Sequence, residues 1–101
     1  MKKKDNNFLE DLYLVITKRS SGKDKNSYTK SLLSKGKKKI AEKIKEESSE
    51  LIKDYLKGTK KRTVEEASDL IYHLLVLLYS KKITLKDIEK ELLRRKGVRR
   101  K

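Results

Sequence analysis

Three glutamates in an EExxE run, Glu46, Glu47 and Glu50, are followed after Leu51–Glu65 by an ExxD pair, Glu66 and Asp69. Carboxylates crowded beside apolar residues are costly unless a cation or a proton offsets them. Hard carboxylate oxygens suit magnesium or manganese, so a divalent metal site is the simplest chemistry for this set.

The elements that must position these acids are helices. At ~100° per residue, Glu47 falls between Ile44 and Leu51, inside the apolar stripe of a helix expected over about Lys37–Leu56. Glu50 lies one turn on, Lys43 and Asp54 share its face, and Glu46 lies further round. On the next helix Glu66, Asp69 and His73 follow i, i+3, i+7 and share one side. Two antiparallel helices joined by a turn at Gly58–Arg62 would bring Glu47, Glu50, Glu66 and Asp69 to one cavity. An isolated glutamate in so charged a chain is usually a solvated partner of a lysine. The set as a whole breaks local rules, however. Glu46 meets a like charge at Glu50, and Glu47 takes a place the stripe would give to an apolar residue. His73, single in YHLL, reads as a hydrogen-bonded core or edge group rather than a ligand. Lys43 and Arg62 are candidates for phosphate contact and equally for ordinary surface charge. Tyr28, Tyr72 and Tyr79 suit either stacking on a base or burial with satisfied hydroxyls.

The chain has 101 residues, enough for one domain with a modest core that oligomerisation would help. Its 29 Lys and Arg against 15 Asp and Glu give a formal charge of +14, spread along the whole length. Such a field attracts polyanions without choosing among nucleotides, nucleic acid and acidic membrane surfaces. There is no cysteine, which excludes disulfides and thiolate zinc sites. No h-region follows the basic start, and Leu70–Tyr79 is far short of the ~20 apolar residues of a membrane span. The expected location is the cytoplasm.

Proline is absent, and glycines at 22, 36, 58 and 97 punctuate helical patterns. Phe8, Leu9, Leu12, Val15 and Ile16 predict a first helix over about residues 5–19. Residues 20–27 are turn-like, and Ser27 is placed to cap a short helix over Tyr28–Lys35. Gly58 closes the long helix that follows, and Thr63 with Glu66 reads as the capping box of the next, running to about Tyr79. A last helix starts after Thr84, with Asp87 as box partner, and fades near Gly97. Nothing shows the period-two alternation of a strand. The expected fold is all-α, with four main helices and a short one. From Leu70 onward the helix through Leu78 is apolar around most of its circumference, so a two-fold homodimer is expected to complete its burial.

EExxE followed by ExxD resembles the pattern of the MazG-like all-α NTP pyrophosphohydrolases. SYTKSLLSKG at 27–36, IAEKIKEESSELI at 40–52 and EEASDLIYHLLVLL at 65–78 are similar, more narrowly, to the phosphoribosyl-ATP pyrophosphatase family. The ordered spacing spans about residues 8–96 of a single domain over 1–101, leaving a basic tail at 97–101. The resemblance implies a MazG-like bundle and hydrolysis of phosphoribosyl-ATP to phosphoribosyl-AMP and pyrophosphate. This is the second step of histidine biosynthesis, and magnesium is the implied cofactor, with manganese a substitute. By position Glu47, Glu50, Glu66 and Asp69 match the family's metal ligands, and Glu46 is the remaining acid of EExxE. Lys35 lies in the SKG segment, where a phosphate role is implied. Ser48 and Ser49 replace the small residues usual inside EExxE, and the tail is unusually basic.

The chemistry suits the residues. Carboxylate-held magnesium would clamp phosphate oxygens, Glu46 or Glu50 would take a proton from water, and basic side chains would stabilise the departing pyrophosphate. One rival is a house-cleaning pyrophosphatase acting on non-standard nucleotides, distinguished by substrate preference. The other is a small basic nucleic-acid-binding protein, against which the acids and the lack of a binding motif both count.

Overall fold

A computed structural model describes residues 7–22 and 27–98. Five helices follow one another: α1 (Phe8–Ser21), α2 (Tyr28–Lys35), α3 (Lys37–Lys57), α4 (Lys60–Ser80) and α5 (Leu85–Val98). No strand occurs among the described residues, so the all-α expectation holds. The expected start of the first helix at residue 5, part of the 20–27 turn, Lys2–Lys4 and the end of the basic tail lie outside the described residues.

Local signals account for most boundaries. Ser27 accepts from the Lys30 N–H at 3.2 Å and starts α2. At α5 the box is reciprocal. Asp87 accepts from the Thr84 N–H at 2.9 Å, and Thr84 accepts from the Asp87 N–H at 3.2 Å. The capping box expected at Thr63 and Glu66 is not formed. Thr59 caps α4 instead, accepting from the Arg62 N–H at 3.1 Å. Thr59 is the last extended residue after Gly58, so the helix begins at once and Thr63 falls inside it. The Thr63 hydroxyl donates to the Thr59 carbonyl at 2.9 Å and across the hairpin to the Asp54 carbonyl at 3.2 Å. The connection is therefore Gly58–Thr59 alone, and Arg62 belongs to the first turn of α4.

The α3–α4 hairpin is the main pairing, and α2 packs against α1, α3 and α4. Ile16, Leu32, Ile40, Leu75, Val76 and Leu78 form the buried core, with Leu12, Tyr13, Leu33 and Leu77 among the residues packed on it. Fully burying such a side chain contributes about 1.5–3 kcal/mol. Polar contacts fix the packing of α1 and α2 on α4 and on the segment that follows it. Tyr13 donates to the Ile83 carbonyl at 2.7 Å, the Ser20 and Tyr79 hydroxyls lie 2.5 Å apart, and Thr29 bonds the Tyr72 hydroxyl.

The core stops short of covering α4, contrary to a helix buried on every side. Ile71 and Leu74 remain 41% and 43% exposed, and Val64 is exposed on the same helix. One chain supplies too few helices to enclose that circumference. Ile52, Tyr55 and Leu56 of α3 and Leu92 and Leu93 of α5 are also exposed. Among the described residues no helix is long and apolar enough to cross a membrane.

Candidate active site

The tight turn sets the register of the hairpin. Residues equidistant from Gly58–Thr59 face one another, so the acids that share a stripe on α3 meet those of the first turns of α4. Oxygens of Glu47, Glu66 and Asp69 lie within 4.8 Å of one another. A second such group comprises Glu50, Asp54 and Glu66. Glu66 is common to both, and is itself buried. Of the four acids expected to converge, Glu47 and Asp69 thus meet Glu66 in one group and Glu50 meets it in the other.

Asp54 is the acid that sequence reasoning placed on the right face without nominating. Its spacing of four from Glu50 and seven from Glu47 was the available signal. Its Oδ2 is the one buried side-chain oxygen without a hydrogen-bond partner among the described residues. The nearest cation to it, the Arg62 guanidinium, stands 3.7 Å away. Arg62 is closer to Glu65 and Glu66, with Nη1 3.1 Å from Glu65 Oε1 and Nη2 3.1 Å from Glu66 Oε2. Asp54 first, then Glu66 and Glu65, hold the Arg62 guanidinium above its usual pKa.

Burial pushes the Glu66 carboxyl above the usual carboxylate range. A shared hydrogen bond and charge repulsion from Glu47 add to that, and Arg62 offsets them only in part. A carboxyl inclined to keep its proton and a buried carboxylate oxygen without a donor are both relieved by a hard cation. The donor set is all oxygen, with no thiol in the chain and the imidazole otherwise engaged, which suits magnesium or manganese.

His73 is that imidazole. Its Nδ1 lies 2.9 Å from the Asp69 carbonyl, which only accepts, so Nδ1 carries the proton. Nε2 then accepts from the Tyr28 hydroxyl at 2.7 Å. Tyr28 and Tyr72 both meet the ring edge to face. With both nitrogens used, His73 ties α2 to α4 beside Asp69, and Glu47 Oε2 stands 3.9 Å from its Nδ1. The hydroxyls of Tyr28, Tyr72 and Tyr79 are all hydrogen-bonded within the fold.

Glu46 stays outside the cluster, exposed and bonded to Lys43 Nζ at 2.8 Å. That bond lowers the Glu46 carboxyl below its usual range and raises the Lys43 ammonium. Lys43 also stands 3.9 Å from Glu47 Oε2, so it flanks the acids on one side as Arg62 does on the other. Lys35 is exposed at the end of α2, and no hydrogen bond or ion pair among the described residues joins it to the cluster.

The sequence profile of the family described as Phosphoribosyl-ATP pyrophosphohydrolase matches residues 9–96. A phosphoribosyl-ATP pyrophosphatase of Sulfolobus acidocaldarius is 45% identical over 89 residues, covering 88% of this chain and 94% of its own. That of Paracoccus denitrificans is 43% identical, covering 88% of this chain and 82% of its own. That of Saccharolobus solfataricus is 42% identical over 91 residues, covering 90% and 97%. With the profile matched across residues 9–96 of this chain and relatives this similar, the chain belongs to the phosphoribosyl-ATP pyrophosphohydrolase family.

Proposed function

We propose that this protein hydrolyses phosphoribosyl-ATP to phosphoribosyl-AMP and pyrophosphate, as the names of its relatives state for those proteins, and that it does so with magnesium. The observation that carries the reading is the meeting of two three-carboxylate groups at Glu66, in a chain of this family. Glu47, Glu50, Glu66 and Asp69 would hold the ion, with Asp54 adjoining them. When bound, a divalent ion supplies charge neutralisation at the phosphate oxygens and makes water more acidic.

The chain's own residues then have distinct tasks. In the overall reaction an oxygen of water bonds to phosphorus, the bridging P–O bond between the α- and β-phosphates breaks, and pyrophosphate leaves. One proton of the water must go to a base. Glu50, at the edge of the ligand set, would combine holding the ion with taking that proton better than Glu46, because Lys43 already holds Glu46 and lowers its basicity. Lys43 and Arg62 flank the acids and would take charge developing on the pyrophosphate, with Lys35 a third cation from α2. Tyr28 and His73 hold α2 against α4 beside Asp69.

A homodimer is part of the proposal. The exposed Val64, Ile71 and Leu74 of α4 and Ile52, Tyr55 and Leu56 of α3 are the faces a second copy would cover. A single domain working in the cytoplasm completes it, with neither a specific nucleic acid nor a membrane as partner.

The test is pyrophosphate release from phosphoribosyl-ATP with magnesium and then with excess EDTA, using ATP as control. EDTA-sensitive release from phosphoribosyl-ATP alone supports the reading. Turnover of other triphosphates but not this one would move the protein to nucleotide clean-up. No turnover of any triphosphate would remove the enzyme reading.

A further inference from the structure

Arg62 occupies a position that ordinary helix electrostatics disfavours. It is the third residue of α4, and the first turn holds Lys60 and Lys61 with no acid. The N-terminus of a helix carries partial positive charge, so three cations there repel both the dipole and one another. What holds the guanidinium inward is the acidic cluster: Glu66 Oε2 at 3.1 Å, Asp54 Oδ2 at 3.7 Å and Glu65 Oε1 at 3.1 Å. Two of those three carboxylates belong to the group formed by Glu50, Asp54 and Glu66. Glu65 does not, and is exposed. The side chain of Arg62 is itself 52% exposed, so it has room to leave without disturbing the core.

We propose that Arg62 is a resident counter-cation of the acidic cluster, one that a divalent ion displaces and that is thereby released to the phosphates of the substrate. The inference rests on the metal-site reading above and deepens it. Two positive charges of this kind exclude each other. A divalent ion held by Glu66 would share the carboxylate that Nη2 now contacts, so the two cations would repel at close range. Glu65 offers the guanidinium a partner outside the cluster, so Nη1 can keep its bond while Nη2 swings out. The geometry gives the arginine two stations. In one it steadies carboxylates that would otherwise repel; in the other it faces the anion that arrives with the ion. Lys43 does not share this role, since its short bond is to the exposed Glu46 and not to the cluster.

The consequence is a pair of effects of opposite sign. Replacing Arg62 by Gln removes a competitor for the ion and a ligand for the substrate. Manganese binding to the full chain, read by electron paramagnetic resonance without substrate, is expected to tighten about three- to tenfold in Arg62→Gln, as screened repulsion of a divalent ion by one charge would give. KM for phosphoribosyl-ATP is expected to rise, and the melting temperature in EDTA to fall. Arg62→Lys keeps the charge and should return manganese affinity close to the wild-type value, which a merely structural role for the side chain would not do.

Unchanged or weaker manganese binding in Arg62→Gln, with helicity retained, would overturn the proposal. So would tightening to the same degree in Arg62→Lys. The reading on which it rests fails differently: the wild-type chain would then bind no manganese, or Glu66→Gln would bind it as well as the wild type.

Discussion

A single methyl group at position 58 tests how the hairpin holds its acids. Gly58 ends α3, its N–H donating to the Asp54 carbonyl at 2.7 Å, with extended backbone at φ −95° and ψ −174°. Any residue adopts that conformation, so dihedral freedom is not the reason for glycine here. Close approach is. A Cβ would stand 2.7 Å from Asp54 Oδ1, 2.9 Å from its Cα and 2.9 Å from its carbonyl oxygen. Comfortable contacts of carbon lie near ~3.5–4.0 Å, so the two segments must part by roughly half an ångström or more. Oδ1 can rotate away, but Cα and the carbonyl belong to the helix. Overpacking of this kind costs about 1–3 kcal/mol, against ~0.4–1 kcal/mol recovered from a stiffer unfolded chain. Gly58→Ala should therefore destabilise by about 1–2 kcal/mol and lower the melting temperature by roughly 5–15 °C for a domain of this size. Because the strain falls on Asp54, manganese affinity should fall with it. Calorimetric melts in EDTA and a manganese titration read the two effects. A Gly58→Ala chain that melts and binds manganese like the wild type would refute the reasoning.

Three other outcomes are expected. Glu47→Gln and Asp69→Asn should each reduce turnover by more than ~100-fold with far-UV circular dichroism unchanged, as for lost metal ligands; near-normal rates in both would sink the metal assignment. In EDTA, burial and Glu47 keep the Glu66 proton on in the folded state to a higher pH than in the unfolded one. The folded state then binds more protons between those two values, so stability rises as pH falls through that window, and Glu66→Gln should flatten the trend; parallel melting profiles for the two chains would contradict it. Ser27→Ala removes the α2 cap and should cost about 1 kcal/mol in thermal melts, whereas no measurable shift would assign α2 to packing alone.

What could be read from the sequence was what local chemistry decides. Ser27, the Thr84–Asp87 box and Gly58 mark helix ends by short-range bonds, and the helices begin or end where those residues say. Thr63 misled because TVEE has the composition of a capping box. An equally good cap stands four residues earlier, and only the closeness of α3 shows that the chain turns there. Periodicity was enough to place Glu47, Glu50, Glu66 and Asp69 toward one another, since it gives faces. It does not give depth, which is why Asp54, on the same face, was passed over: its burial depends on the two-residue turn and on Arg62 lying across it. The exposure of Ile71 and Leu74 was not legible either. An apolar helix reports that something covers it, but not whether the cover comes from the same chain.

The charge of the chain acquires a meaning once the hairpin is in place. Seven of the fifteen acids lie between Glu46 and Asp69, against five Lys and Arg in that stretch. The rest of the chain carries twenty-four basic residues against eight acids. A small acidic basin is thus set in a strongly positive body. The surrounding field favours any polyanion, while the basin itself repels one until its carboxylates are neutralised. On the proposed reading a divalent ion would perform that neutralisation, and an anionic substrate would in turn offset the repulsion that the positive body and Arg62 exert on the ion. Each would then lower the cost of binding the other, and linkage requires the two effects to be equal. On this arrangement ion and triphosphate are expected to bind more tightly together than either does alone. The positive surface then contributes to the speed of encounter, and the basin to the choice of what stays.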